Sequence, residues 1–325
     1  MVVYWTTMVV TERFIHERYN FQKKSSLPDL QYLPEMSFTV GQYIANRYHL
    51  TARLGKGSYG EVYKATDVID LRAKALKTIK DGDANCAEVR SLNALSATNG
   101  IQRMFDNFNL NAHLVLVLEL YTADLGSISR KQRFSQRLVS KIGYKMVEIL
   151  KQVHSAGILH RDVKPENVMV AWNGEEAALK LIDWGMSAVF VAPNGQRVRV
   201  RDHDYVYAAA PYTSLALSLG LACTEFDDIE MLRNMMMSIR RLFPFNDESP
   251  TRQTALKLQF QNHPENVLKG RNKFLLPFAR EYVEQKAREV LRYDVLLNCL
   301  KRSAKFNENT NFVLHFGRKN RISLQ

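Results

Sequence analysis

The run His160-Arg161-Asp162-Val163-Lys164-Pro165-Glu166-Asn167 constrains this chain more than any other stretch. It places a carboxylate, an ammonium and an amide in one short loop. Leu181-Ile182-Asp183-Trp184-Gly185 then supplies a second carboxylate, 21 positions after Asp162. Between them, Val168-Met169-Val170 and Leu179-Lys180-Leu181 read as a short hairpin that would bring both carboxylates to one cleft. A single Asp is usually a turn or cap residue, so the argument rests on the set and its order. Phosphoryl transfer from a nucleoside triphosphate requires such a set. Asp162 would accept the proton of an attacking hydroxyl, Lys164 would neutralise charge on the transferring group, and Asn167 and Asp183 would hold Mg²⁺.

Upstream, Leu54 leads into Gly55-Lys56-Gly57-Ser58-Tyr59-Gly60, a GxGxxG run. Such a run also opens dinucleotide-binding turns, but those must lead into a helix whose N-terminus receives the pyrophosphate. Here Glu61-Val62-Tyr63 continues as a strand. The predicted unit is a glycine-rich hairpin whose amides at Gly55, Gly57 and Gly60 cover ATP phosphates. Lys77 lies on the next strand, in position for the α- and β-phosphates. Glu88, the only acidic residue within the following helical pattern, is its expected ion-pair partner. Val62, Ala75 and Met169 are candidates for the apolar sandwich around adenine, with Leu118 behind it. The backbone of Glu119, Leu120 and Tyr121 would hydrogen-bond the base. Burial alone would also put these apolar residues inside any core.

The strand patterns fall in the first third, at Tyr48–Leu54, Glu61–Ala65, Ala73–Ile79 and Leu114–Leu118. Helical spacing follows at 84–96, 135–156, 226–242 and 277–300. That division predicts an α+β chain of two unlike lobes joined near Glu119–Thr122. The expected boundaries are an extension over 1–40, a domain over 41–302 with its smaller lobe ending near 118, and a basic tail over 303–325. From Lys301 the chain carries six Lys or Arg against one Glu. The tail's charge would attract nucleic acid, although no aromatic-basic module supports that use.

The 325 residues suffice for two lobes, and 46% hydrophobic content argues against global disorder. A formal net charge of +12 favours anionic or acidic partners. Arg197-Val198-Arg199-Val200-Arg201 adds to that surface, or is an exposed strand with solvated charges. Three scattered cysteines, Cys86, Cys223 and Cys299, argue against a disulfide framework and for a reducing compartment. The apolar stretch Leu215–Cys223 is too short to cross a bilayer, and the N-terminus has no basic n-region. The expectation is an intracellular monomer in cytoplasm or nucleus, with no membrane partner.

Taken together, these motifs resemble the protein kinase superfamily, and several others resemble its casein kinase 1 group. Those are Gly57-Ser58-Tyr59-Gly60-Glu61-Val62-Tyr63, the helix from Phe134-Ser135 to His154-Ser155, Tyr212-Thr213-Ser214, Glu225-Phe226-Asp227-Asp228-Ile229-Glu230-Met231-Leu232 and Phe243-Pro244-Phe245. The match covers roughly residues 40–300. The resemblance implies a bilobal enzyme that uses Mg-ATP to phosphorylate Ser or Thr of protein substrates, Lys164 being usual for that specificity. It also implies a structural role for His160. Three positions depart from the pattern. Trp184 stands where Phe is usual, Ala209 where a Thr helps join the base to Lys164, and Pro211 where an arginine binds primed phosphate. A preference for primed substrates is therefore not implied. Trp184 and Ala209 also motivate the alternative of a catalytically weak scaffold.

Overall fold

The computed structural model describes residues 38–57, 60–80, 82–200, 211–247, 249–305, 311–317 and 321–325. Ser58, Tyr59, Arg201, Ala209 and nearly all of the expected N-terminal extension lie outside these ranges.

The smaller lobe is one six-stranded antiparallel sheet. Its strands are β1 (Tyr43–Ile44), β2 (Tyr48–Gly57), β3 (Gly60–Asp67), β4 (Ala73–Lys80), β5 (Met104–Leu110) and β6 (His113–Glu119), in spatial order β1-β2-β3-β4-β6-β5. Period-2 alternation assigns the two faces. On one, Leu76, Val115 and Val117 join Leu50, Tyr63 and Ala65 in a small core under Phe38. On the other, Ala75, Leu114, Leu116 and Leu118 belong to the main core. Helix α1 (Ala87–Ala94) packs there through Val89 and Leu92. It begins three residues later than its spacing predicts, because residues 84–86 form a turn closed by the Cys86 amide on the Asp83 carbonyl.

The larger lobe is mostly helical. After β7 (Ala123–Asp124) come α2 (Leu125–Lys131) and α3 (Gln136–Ser155), the latter capped by the Ser135 hydroxyl. Strands β8 (Ile158–Leu159), β9 (Val168–Trp172), β10 (Ala177–Leu181) and β11 (Ala188–Val189) frame the loops that carry the chemistry. Then follow α4 (Leu215–Ser218), α5 (Glu225–Ile239), α6 (Pro250–Asn262), α7 (Leu276–Ala287) and α8 (Tyr293–Ala304). Helix α5 is buried over almost its whole circumference, as expected of the central helix of a lobe.

The predicted helix over 277–300 is two helices. The chain turns at Glu289, in a left-handed conformation, and the Gln285 side chain accepts from the Arg292 amide at 2.7 Å. No Pro or Gly marks that break. Past α8, β12 (Leu314–Gly317) and β13 (Arg321–Leu324) form a hairpin. Phe312, Leu314 and Leu324 enter the main core. Gln132 clasps Leu324 by donating to its carbonyl at 2.7 Å and accepting from its amide at 2.8 Å. No helix among the described residues is long and apolar enough to cross a membrane.

Candidate active site

Two charged clusters face one another where the lobes meet. In the first, Lys77 on β4 is almost fully buried. Its ammonium donates to both carboxylate oxygens of Glu88, at 2.9 and 2.8 Å, and to Oδ1 of Asp183 at 2.7 Å. Strand pairing puts Val62 opposite Lys77 and Ala75 opposite Leu118. Lys77, Val62, Ala75 and Leu118 therefore lie on a common sheet face. Burial disfavours the Lys77 ammonium, but the two carboxylates outweigh it and raise its pKa. Burial likewise opposes ionisation of Asp183, and Lys77 reverses the sign, so its carboxyl titrates below the ordinary range. The cluster is locked from behind. Ser91 of α1 hydrogen-bonds Ser187 at 2.8 Å, and Ser187 reaches back to the Trp184 carbonyl at 2.5 Å.

In the second cluster, Oδ2 of Asp162 accepts from Lys164 Nζ at 2.7 Å and from Asn167 Nδ2 at 2.9 Å. Asn167 Nδ2 also reaches the Asp162 carbonyl at 2.9 Å. These bonds use the amide nitrogen of Asn167 and leave the chemistry of its oxygen for another partner. The β9–β10 hairpin joins the two clusters. It pairs Val168 with Leu181, and the Ile182 amide donates to the Asn167 carbonyl at 2.9 Å. Asn167 and Asp183 thereby enter one cleft from neighbouring strands, as their spacing in the sequence implies. An amide oxygen and a carboxylate are hard donors suited to Mg²⁺, which is commonly held by one or two carboxylates together with phosphate oxygens.

Below the loop, Asp228 of α5 is fully buried. Its Oδ1 accepts from the Arg161 amide at 2.7 Å, and its Oδ2 from the His160 amide at 2.8 Å and His154 Nε2 at 2.9 Å. Sequence reasoning gave Asp228 no role. The available signal was a group of acidic residues, Asp227, Asp228 and Glu230, in a helix that also carries Phe226, Ile229, Met231 and Leu232 and so must enter the core, where carboxylates require partners. His160 is also fully buried. Since the Ile182 carbonyl can only accept, His160 Nε2 must carry the proton in their 3.0 Å contact; Nδ1 then accepts from the Asp162 amide at 3.2 Å. The imidazole is thus committed to the backbone. Arg161 and Asp183 both have positive φ, +67° and +64°. Strained backbone of this kind gathers at sites where the surrounding structure enforces it.

The remaining predicted residues occupy the rim and the hinge. Gly55 and Gly57 lie on β2, and Leu54 is exposed beside them. Gly60 has φ +147°, and a Cβ there would sit 1.7 Å from the Thr78 carbonyl oxygen. Gly60→Ala should force β3 from β4 and destabilise the fold by about 1–3 kcal/mol, the scale of an enforced backbone outlier. A thermal melt measures this, and an unshifted midpoint refutes it. Glu119 and Tyr121 flank the lobe junction. The Tyr121 hydroxyl accepts from the Arg103 amide and donates to Glu119, both at 3.2 Å, which braces that segment. Met169 lies on β9 of the larger lobe and Leu118 on β6 of the smaller one. Trp184 is buried with its ring 4.7 Å from that of His160, in the same core as Leu92.

Among known families, the protein kinase domain matches residues 48–211, just over half of the chain. The chain belongs to the protein kinase family. Its fold, a curled sheet over a helical lobe, is the bilobal α+β kinase fold. Among its relatives is a probable serine/threonine-protein kinase of Dictyostelium discoideum, 28% identical over 204 residues, which cover 61% of this chain and 41% of that protein. A probable casein kinase I homolog of Encephalitozoon cuniculi is 27% identical over 192 residues, 57% of this chain and 59% of the relative. Casein kinase I homolog 2 of Saccharomyces cerevisiae is 24% identical over 241 residues, 70% of this chain and 43% of the relative. The matched regions thus span about two-fifths to three-fifths of these kinases' own lengths.

Proposed function

We propose that this kinase domain transfers the γ-phosphate of ATP to Ser or Thr hydroxyls of protein substrates. The observation that carries the reading is Lys77 held jointly by Glu88 and Asp183, across a cleft from Asp162 held by Lys164 and Asn167. On this reading both halves of a phosphoryl-transfer site have neighbouring side chains to hold them. Lys77 would fix the α- and β-phosphates under the glycine hairpin. Val62, Ala75, Leu118 and Met169 would sandwich the base, and the backbone at Glu119 and Tyr121 would bond it. Asn167 and Asp183 would hold Mg²⁺, which when bound offsets charge on the phosphates. Asp162 would orient the substrate hydroxyl and accept its proton, while Lys164 balances charge on the group in transit. His160 and Asp228 position the loop without touching substrate. Catalysis would consist mainly of alignment and fixed electrostatics.

The test is transfer of radiolabelled phosphate from ATP to casein and to a basic protein. Incorporation in the native chain that disappears in Lys77→Met supports the proposal. Equal incorporation in the two proteins sinks it.

A further inference from the structure

Two buried hydroxyls join the helix that carries Glu88 to the loop that carries Asp183. Ser91 lies one turn past Glu88 on α1, and Ser187 follows Asp183 closely in the chain. Both are buried, and their oxygens are 2.8 Å apart. Ser187 Oγ is also 2.5 Å from the Trp184 carbonyl, which can only accept. A hydroxyl has a single proton to give. Ser187 therefore donates to Trp184, and Ser91 donates to Ser187. The bonds run in one direction, from the helix to the loop. A serine within a helix can instead return its hydroxyl to the carbonyl one turn back. For Ser91 that carbonyl belongs to Ala87, and it is Ser187 that approaches it, at 3.3 Å.

The parts joined in this way need an external hold. Helix α1 has eight residues, and its N-cap, Cys86, makes no side-chain bond to the first turn. Helices this short are marginal alone, so contacts set their place. On the loop side, Asp183 is held at φ +64°. Trp184 is fully buried, and its indole N–H has no partner among the described residues. Left-handed backbone and a buried unpaired donor both favour departure from the observed arrangement. Other ties across the junction are the Trp184 backbone on the Glu88 carboxylate and Lys77, which bonds both Glu88 and Asp183. Lys77 is the group that phosphates would engage. The hydroxyl pair lies behind it and can keep its bonds when nucleotide enters.

We propose that Ser91 and Ser187 are positioning residues for phosphate transfer: their linked hydroxyls fix α1 against the Asp183 loop, and so hold Glu88 and Asp183 at the separation that Lys77 spans. This role rests on the kinase reading above. The pair acts through Glu88 and Asp183 and not on substrate. Its loss should loosen helix and loop together, because one bond serves both.

The test uses the full chain with Ser91→Ala, Ser187→Ala and the two combined. Hydrogen exchange read by mass spectrometry should quicken about two- to ten-fold over residues 87–94 and 184–189 in each single variant, the scale of one lost hydrogen bond. Strands β2 and β3 should exchange at the native rate. The double variant should exceed Ser187→Ala by little, since both changes remove the same bond. In transfer to casein, kcat should fall by a similar factor while KM for casein holds. Exchange that is unchanged, that rises equally in β2 and β3, or that adds in full in the double variant overturns the proposal. So does a native kcat in Ser187→Ala. Exchange needs no phosphate transfer. A native chain that never phosphorylates casein, with variants that still show the coupled loosening, sinks the catalytic reading and leaves the junction between α1 and the loop standing.

Discussion

Asp162→Asn should reduce phosphate transfer by about 10²- to 10⁴-fold, the usual contribution of a positioned proton acceptor. The asparagine keeps the shape of the side chain and one oxygen to accept from Asn167. It cannot hold a proton taken from serine, and the oxygen that accepts from both Asn167 and Lys164 loses its charge. Nothing in the cluster of Lys77, Glu88 and Asp183 is altered. Nucleotide affinity should therefore remain within a factor of a few of the native value, as measured by calorimetry. A variant that phosphorylates casein at the native rate removes Asp162 from the mechanism. One that loses nucleotide binding equally shows that the two clusters are not separable.

Asp228→Ala should have the largest effect on stability, about 3–5 kcal/mol, the cost of breaking a buried charged network by deleting one partner. Three donors would lose their acceptor together: the amides of His160 and Arg161 and the His154 ring. With domains stable by only about 5–15 kcal/mol, much of the chain should fail to accumulate as folded protein. Denaturant titration of Asp228→Asn, which retains volume and part of the acceptor capacity, gives the measurable version: a smaller loss of midpoint, with transfer impaired because the loop backbone loses its clamp. The sign with pH follows. Burial works against the Asp228 carboxylate, but His154 and His160 outweigh it and hold its pKa below the ordinary value. Its stabilising contribution is present above the unfolded value near 4 and is lost as pH falls through the folded one. A native protein whose acid midpoint matches that of Asp228→Asn contradicts the assignment.

The cleft was far more legible than the scaffold behind it. Residues that would serve a triphosphate are fixed in type by chemistry and in spacing by a hairpin, so Lys77, Glu88, Asp162, Asn167 and Asp183, which the fold gathers into two ion-paired clusters, stand out in one dimension. The helical spacing of Leu138, Val139, Ile142, Met146 and Val153 revealed α3 for a comparable reason, since one face must enter the core. Asp228 did not stand out, because its partners are backbone amides and a histidine distant in the chain, and no local pattern encodes them. Helix α6 escaped notice although Ser249 and Pro250 mark its start, because its apolar residues define no clean stripe. The break between α7 and α8 depends on a side chain, Gln285, that captures the next turn. The terminal hairpin is held by Gln132 from 192 positions away, a pairing invisible to any window.

The way Lys77 is held has a consequence for how nucleotide enters. In the cleft, the ammonium groups of Lys77 and Lys164 face the carboxylates of Glu88, Asp162 and Asp183, all already in contact. Acidic side chains outnumber ammonium groups in these two clusters before any polyanion arrives. On the proposed function, a bare triphosphate would meet more acidic side chains than ammonium groups here, which would favour a nucleotide that brings its own counterions. On the same reading, the recognised species would be a neutralised salt, and Lys77 and Lys164 would serve to orient its phosphates more than to attract them.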